Sequence, residues 1–355
     1  MTDPTRTDAP RRRAPEARRP APAGVLELPP ATSTRRGTAP GRGRTGGAAP
    51  GRGRTGPRRH AAPWLFLSPA IVLFAAFLAA PIGYAVYLSF RTEKVSGLGL
   101  GAGSRQEVWA GLENYGSALA DSEFLASVGR VGLYGLIVVP VMLGAALLFA
   151  LLLDARRARA RRFSRIAIFL PYAVPAVISS LLWGFLYLPE VSPFYWIFER
   201  FGWSVPSLFE SDLVMFAVAN IAIWAGIGFN MVVIYTGLKA IPQELYEAAE
   251  LDGAGQLGIA WRIKIPIVTP SIIMTFVFSM IATLQVFAEP TTLRPLSNAI
   301  SSTWTPLMKV YRDAFTRGDL YAAAATSVII AVATFVISFG FLRLVQSRAF
   351  ASEER

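Results

Sequence analysis

Beyond residue 60 the chain holds six stretches of 18 or more residues without a single Asp, Glu, Lys or Arg, near 65–90, 131–153, 166–189, 213–238, 265–288 and 320–342. A charge at the bilayer centre costs roughly 2.5–3.5 kcal/mol on insertion scales, so membrane spans exclude it. At about 1.5 Å rise per residue, each stretch is long enough to cross about 30 Å of hydrocarbon. Lipid offers the backbone no hydrogen-bond partner, so each crossing must close its own bonds as a helix. A chain 53% hydrophobic and only 16% charged fits no ordinary soluble domain of this length. The predicted fold class is an all-α integral membrane protein with six transmembrane helices.

The remaining charge is segregated. Residues 1–60 hold 14 Arg against four acidic residues. The segment 1–62 is rich in Arg, Pro, Gly and Ala, and it cannot bury enough apolar surface to offset its ordering entropy, so it reads as a disordered tail. Six more Arg crowd the twelve residues from Asp154 to Arg165. Short basic loops stay on the cytoplasmic side. Six crossings then put both termini in the cytoplasm, with a six-helix membrane domain over 63–347 and a polar tail over 348–355. The expected location is the cell membrane, with lipids as one partner. The basic balance belongs to the tail, and no specific nucleic-acid partner is expected.

There is no cysteine, and the single histidine, His60, lies in the tail. That removes disulfides, thiol nucleophiles and thiolate metal sites, and no metal ligand or catalytic residue is expected. A Gly-x-x-x-x-Gly-Lys-Ser/Thr phosphate loop is impossible, because the dipeptide Gly-Lys does not occur. If ATP drives this chain, ATP and Mg must sit on a partner. Within the third stretch Pro171 and Pro175 predict a kink, of the kind that lines cavities. In the fourth, Asn220 and Trp224 lie about 40° apart on a helical wheel and share a face. With Asn230 and Gln285 they are the candidate solute path, since amide hydrogen bonds and aromatic stacking suit sugar rings. The six stretches contain no ionised side chain, which disfavours ionic solutes and a proton-relay carrier.

One polar segment, Lys239 to Pro266, separates the fourth and fifth stretches. Pro242 suits a first helical position. Glu244, Glu247 and Glu250 follow near the positive end of that helix. Leu245, Ala248, Ala249 and Asp252 fall on one face, and Gly253 sits where a left-handed residue closes a helix. A second short helix is predicted from Gln256 to Lys264, ending before Pro266. By the span count this helix–turn–helix lies in the cytoplasm.

Glu247-Ala248-Ala249, three residues, Gly253, nine residues and Ile263-Lys264-Ile265-Pro266 together resemble the EAA signature of permease subunits of binding-protein-dependent ABC importers. Ile265 in place of Leu is the one departure. The stretches Gly111 to Tyr115, Leu170 to Trp183 and Val310 to Phe315 are similar to the carbohydrate-type branch, and the resemblance spans about 64–347. It implies a second permease subunit, two ATP-binding subunits and an extracytoplasmic solute-binding protein. It further implies that the helix around Glu247–Gly253 is a coupling helix seated on the ATPase, with Ile263 and Pro266 closing the signature and Glu247 as salt-bridge partner. Leu293 to Asn298 replaces a Gly-Gly-Pro stretch common in the family.

The resulting expectation is an importer subunit that moves a sugar or similar neutral polyol without hydrolysing ATP itself. The rivals are a secondary transporter and a membrane scaffold that works through its basic tail. Deleting residues 1–60 should leave solute uptake intact, measured in cells lacking the native chain; loss of uptake with normal membrane insertion would favour the scaffold.

Overall fold

The computed structural model describes residues 61–95, 105–155, 160–203, 206–210 and 213–350. The tail at 1–60, the Gly-rich stretch at 97–103, the Arg-rich positions 156–159 and the terminus at 351–355 lie outside the described residues.

Helices α1 (Ala61–Phe74) and α2 (Ala80–Ser89) form the first apolar span, joined through a π-helical segment, Ala75–Ala79. Among its described side chains only Ser89 is buried. An antiparallel hairpin follows, β1 (Arg91–Val95) and β2 (Arg105–Trp109), with Arg91 opposite Trp109. This departs from the all-α expectation. Thr92, Val95, Val108 and Trp109 favour a pleated surface, but the Gly-rich stretch between the strands masks the signal. The Trp109 ring stacks on Phe90 at 5.5 Å. Helix α3 (Glu113–Ala120) is fastened beneath the hairpin, where the Asn114 amide donates to the Ser89 and Arg91 carbonyls at 2.9 and 2.7 Å.

By sequence the amphipathic stretch after Tyr115 reads as a short interfacial helix through Phe124, but α3 stops at Ala120. Asp121 is extended, and its carboxylate accepts from the Glu123 backbone N–H at 2.8 Å, capping the next helix. That helix, α4 (Ser122–Asp154), is 33 residues long and starts well before the charge-free stretch at 131. It tolerates Arg130 because the guanidinium donates to the Trp304 carbonyl at 2.7 Å.

The third stretch is broken rather than kinked. Helix α5 (Arg161–Phe169) runs into a 3₁₀ turn at Leu170–Ala173, and α6 (Ala176–Tyr187) leaves at 98° to it. Proline pushes the preceding residue out of helical conformation, and Val174, before Pro175, is extended at ψ 126°. Helix α7 (Pro193–Arg200) precedes α8 (Val214–Lys239). Beyond α8 come α9 (Gln243–Leu251) and α10 (Gln256–Ile259), then α11 (Ile265–Leu284) and α12 (Ala288–Leu293). Helices α13 (Pro306–Tyr311) and α14 (Leu320–Phe350) complete the described chain. Five continuous helices are long and apolar enough to cross a membrane, and the bent α5–α6 pair makes six if it counts as one span.

Helix α4 packs along α8 and α11. Its buried Tyr134, Val138, Met142, Ala146 and Ala150 recur every fourth residue, a single ridge for a neighbouring groove. Two clusters lie along that seam. One holds Tyr134, Val138 and Met142 with Val218 and Ile221; the other holds Ala146 and Ala150 with Met231, Ile234 and Leu238. Lipid tails are as apolar as these side chains, so close packing rather than water exclusion holds the helices.

By sequence Trp304 to Phe315 reads as one short helix, which is only partly present: Thr305 caps α13, and Arg312–Thr316 winds as a π-helical segment. The segment is tied to the start of α4 by charge. Lys309 lies 3.0 Å from Asp121 and 2.6 Å from Asp313, and Arg312 lies 2.7 Å from Glu123. Burial opposes ionisation of Asp121, yet the hydrogen bonds from Lys309 and the capped backbone outweigh it and hold its carboxyl below the usual range.

The α8 backbone meets the α5 chain at Gly228, where a Cβ would collide with the Ile168 carbonyl and lie 2.7 Å from the Phe169 Cα. Gly228→Ala should therefore destabilise the fold by about 1–3 kcal/mol, read from unfolding in detergent, with Gly144→Ala, which has open space, as the near-neutral comparison.

Candidate functional site

The segment after α8 is built from local signals. Pro242 is the N-cap of α9 rather than its first helical residue, with ψ 139°. Gly253 adopts φ +80°, and the Ala254 N–H reaches back to the Ala249 carbonyl at 2.9 Å, closing the helix as a left-handed cap does. Glu247, Ala248 and Asp252 are exposed, and Ala249 is half-buried. The Glu247 carboxylate accepts from the Gln243 amide at 2.9 Å. Leu251 is 90% exposed and Leu257 77%.

The second helix does not end before Pro266. Residues Ala260–Lys264 form a π-helical segment that leads directly into α11, so the helix is continuous from Gln256 to Leu284. Proline has no N–H for the carbonyl four residues back, and a wider π turn accommodates that loss. Ile263 is half-buried in this segment, Pro266 is exposed, and Lys264 turns inward.

Lys264 meets a carboxylate that the sequence does not single out. Asp154, the last residue of α4, accepts from Lys264 at 2.6 Å and from Lys239, the last residue of α8, at 2.7 Å. The Asp154 and Lys264 side chains are 4% and 9% exposed. The Lys264 ammonium also lies 5.0 Å from the ring centroid of Tyr246 in α9. Burial, reinforced by the Asp154 charge, pushes the Tyr246 phenol above its ordinary value. Three helix ends and the connector helix thus meet at one carboxylate, beside a polar cavity of 390 Å³.

A larger cavity, 740 Å³, lies midway along α4 between α8 and α11. Asn230 and Gln285 line it. Asn230 donates to the Gly226 carbonyl at 2.9 Å and accepts from the Ser279 hydroxyl at 3.3 Å. Asn220 lines a separate pocket and donates to the Tyr187 hydroxyl at 2.8 Å. The Trp224 ring stands edge-on to Trp183 at 5.8 Å. The structure therefore brings two of the four path residues together, and gives Asn220 and Trp224 packing partners elsewhere. It adds two residues the sequence reading omits. Tyr134 is 1% exposed, lines the cavity, and its hydroxyl has no hydrogen-bond partner. Glu289 also lines the cavity. By sequence the fifth span runs on through Gln285 to Glu289 and Pro290; the structure breaks at Gln285–Phe287, and the separate helix α12 carries Glu289 to the cavity.

Residues 142–350 match the family model described as the binding-protein-dependent transport system inner membrane component. The chain belongs to this family. Similar to this permease is the sn-glycerol-3-phosphate transport system permease protein UgpA of Agrobacterium fabrum, 30% identical over 290 residues, covering 81% of this chain and 95% of the relative. The UgpA protein of Salmonella typhimurium is 28% identical over the same length. Among solved structures, the fold is similar to a bacterial ABC transporter involved in import of the acidic polysaccharide alginate, with a TM-score of 0.71 and 19% identity over 82% of this chain and 96% of that one. A second, with a TM-score of 0.68, 19% identity and coverage of 80% and 93%, is the alginate transporter in complex with a periplasmic protein bound to an alginate pentasaccharide. The permease is thus a multi-pass membrane component of a transport system. In the Leu293 to Asn298 stretch, Leu293 is fully buried in the core, and the Ser297 hydroxyl donates to the Phe209 carbonyl at 2.8 Å.

Removing one partner of a buried ion pair is costly because it strands the other charge. Lys264→Met in the permease should cost about 3 kcal/mol, while Lys239→Met, at a half-exposed position, should cost much less. Unfolding of the two purified variants in detergent checks this; equal losses would show that Asp154 does not depend on the buried lysine.

Proposed function

We propose that this permease is one of two membrane subunits of an ATP-driven importer that carries a sugar or similar neutral polyol inward by alternating access. ATP and Mg reside on two partner ATPase subunits, and an extracytoplasmic binding protein delivers the solute. In this reading the chain crosses the membrane six times with both termini in the cytoplasm, and α9 is the coupling helix seated on an ATPase.

The observation that carries the reading is one continuous helix. From Gln256 to Leu284 the chain runs unbroken through the π-helical segment, a length of roughly 40 Å. Its start adjoins α9 through Gly253, and its far end supplies Phe278, Ser279, Ala282 and Thr283 to the large cavity. A push on Glu247, Ala248, Ala249 and Asp252 therefore reaches the cavity wall through a rigid rod. The Asp154 contacts draw the ends of α4 and α8 along with it, so all three cavity walls answer to the same motion.

The cavity suits a polyhydroxylated guest. Asn230 and Gln285 offer amide groups, and Tyr172, Phe229 and Phe278 supply ring faces. Asn220 lines the separate pocket, and Trp224 packs against Trp183.

The combined substitution Glu247→Ala with Gly253→Pro should abolish both solute uptake and solute-stimulated ATP hydrolysis of the assembled transporter, while the permease still inserts and copurifies with its partner permease. Retention of both activities would overturn the coupling role of α9.

A further inference from the structure

Glu289 stands out among the residues that line the large cavity. Among the described lining residues it is the sole carboxylate, and no Lys, Arg or His accompanies it. No ion pair or side-chain hydrogen bond joins its carboxylate to another described residue, in a chain where Asp121, Asp154 and Asp313 are all paired. It is half-buried, and Tyr134 lines the same cavity. The break between α11 and α12, where Phe287 leaves helical geometry at φ −146°, is what delivers Glu289 to the cavity rather than to a loop.

We propose that Glu289 is the specificity-determining residue of the cavity, holding uncharged polyhydroxylated solutes through their O–H groups and turning anionic solutes away. The proposal deepens the importer reading and rests on it. A carboxylate accepts two hydroxyl donors at once, and charge-assisted bonds of this kind are roughly twice as strong as neutral ones. The Gln285 and Asn230 amides line the same cavity and add donors and acceptors around the same guest. An anion meets the opposite situation: a like charge across a low-dielectric cavity, with no cation on the described wall to offset it.

Because the chain contains no cysteine, the charge of the cavity can be read without knowing the solute. Ala282→Cys places a single thiol on the cavity wall, and Leu257→Cys places one on an exposed site outside it. Full-length permease in membrane vesicles is treated with cationic, neutral and anionic methanethiosulfonates, and labelling of this chain is followed. With Glu289 intact, the cation-to-anion rate ratio at Ala282→Cys should exceed that at Leu257→Cys by roughly tenfold or more. Adding Glu289→Gln should collapse that excess, and Glu289→Asp should retain it. An equal ratio at the two thiols, or an excess that survives Glu289→Gln, would overturn the proposal. Failure of the importer reading would appear separately, as loss of ATPase coupling, and would leave these rates untouched.

Discussion

The structure depends on one buried carboxylate shared by two ammonium groups. Asp154 ends α4, Lys239 ends α8 and Lys264 precedes α11, so three helices that share no continuous backbone are fixed at a common point. An isolated charge there would be intolerable, and two cations facing each other would repel. The buried Asp154 and Lys264 are admissible only because they are paired, and the half-exposed Lys239 adds a second cation to the same carboxylate. The geometry is therefore specific in a way that apolar packing between lipid-facing helices is not, since Leu against Leu and Leu against lipid are nearly equivalent.

From that fixed point the helices diverge around space. Along α4 the ridge from Ala150 through Ala146 is small and lets α8 approach closely, whereas Met142, Val138 and Tyr134 further along stand against the large cavity. Tight packing at one end and an open centre are thus written on the same face of one helix. The outer end of α4 is held in turn by Lys309 and Arg312, so the cavity lies between two charge-fixed ends. Any opening must occur by tilting helices about one end or the other.

Much of this was legible in the sequence. The charge-free stretches located the apolar helices, and the spacing from Glu247 through Gly253 to Pro266 located the connector with its left-handed glycine. What escaped were features decided by distant contacts. Arg130 looked like the boundary of a span, because a window of composition cannot see that the Trp304 carbonyl, far along the chain, receives it. Glu289 read as the plain end of the fifth span, and composition could not show that the break after Leu284 sets its position on a separate helix. Asp154 read as the edge of a basic turn, and its two lysines lie 85 and 110 residues away. Asn220 and Trp224 were rightly placed on one helix, but the sequence could not say that Tyr187 and Trp183 would claim them.

Proline shows the same limit more sharply. Pro266 follows two residues after the π-helical segment Ala260–Lys264, and Pro81 follows two residues after Ala75–Ala79. In each case the carbonyl four residues before the proline lies inside the wider turn, where its lost partner is accommodated, and the helix continues. Pro171 and Pro175 meet a different fate, because Val174 between them is driven extended and no single wide turn can absorb both. Isolated prolines therefore leave a rod, while the pair makes a 98° corner. The distinction matters for rigidity. A break at Pro266 would separate α10 from α11, whereas the continuous helix joins Gln256 to the cavity wall at Ala282 without a hinge.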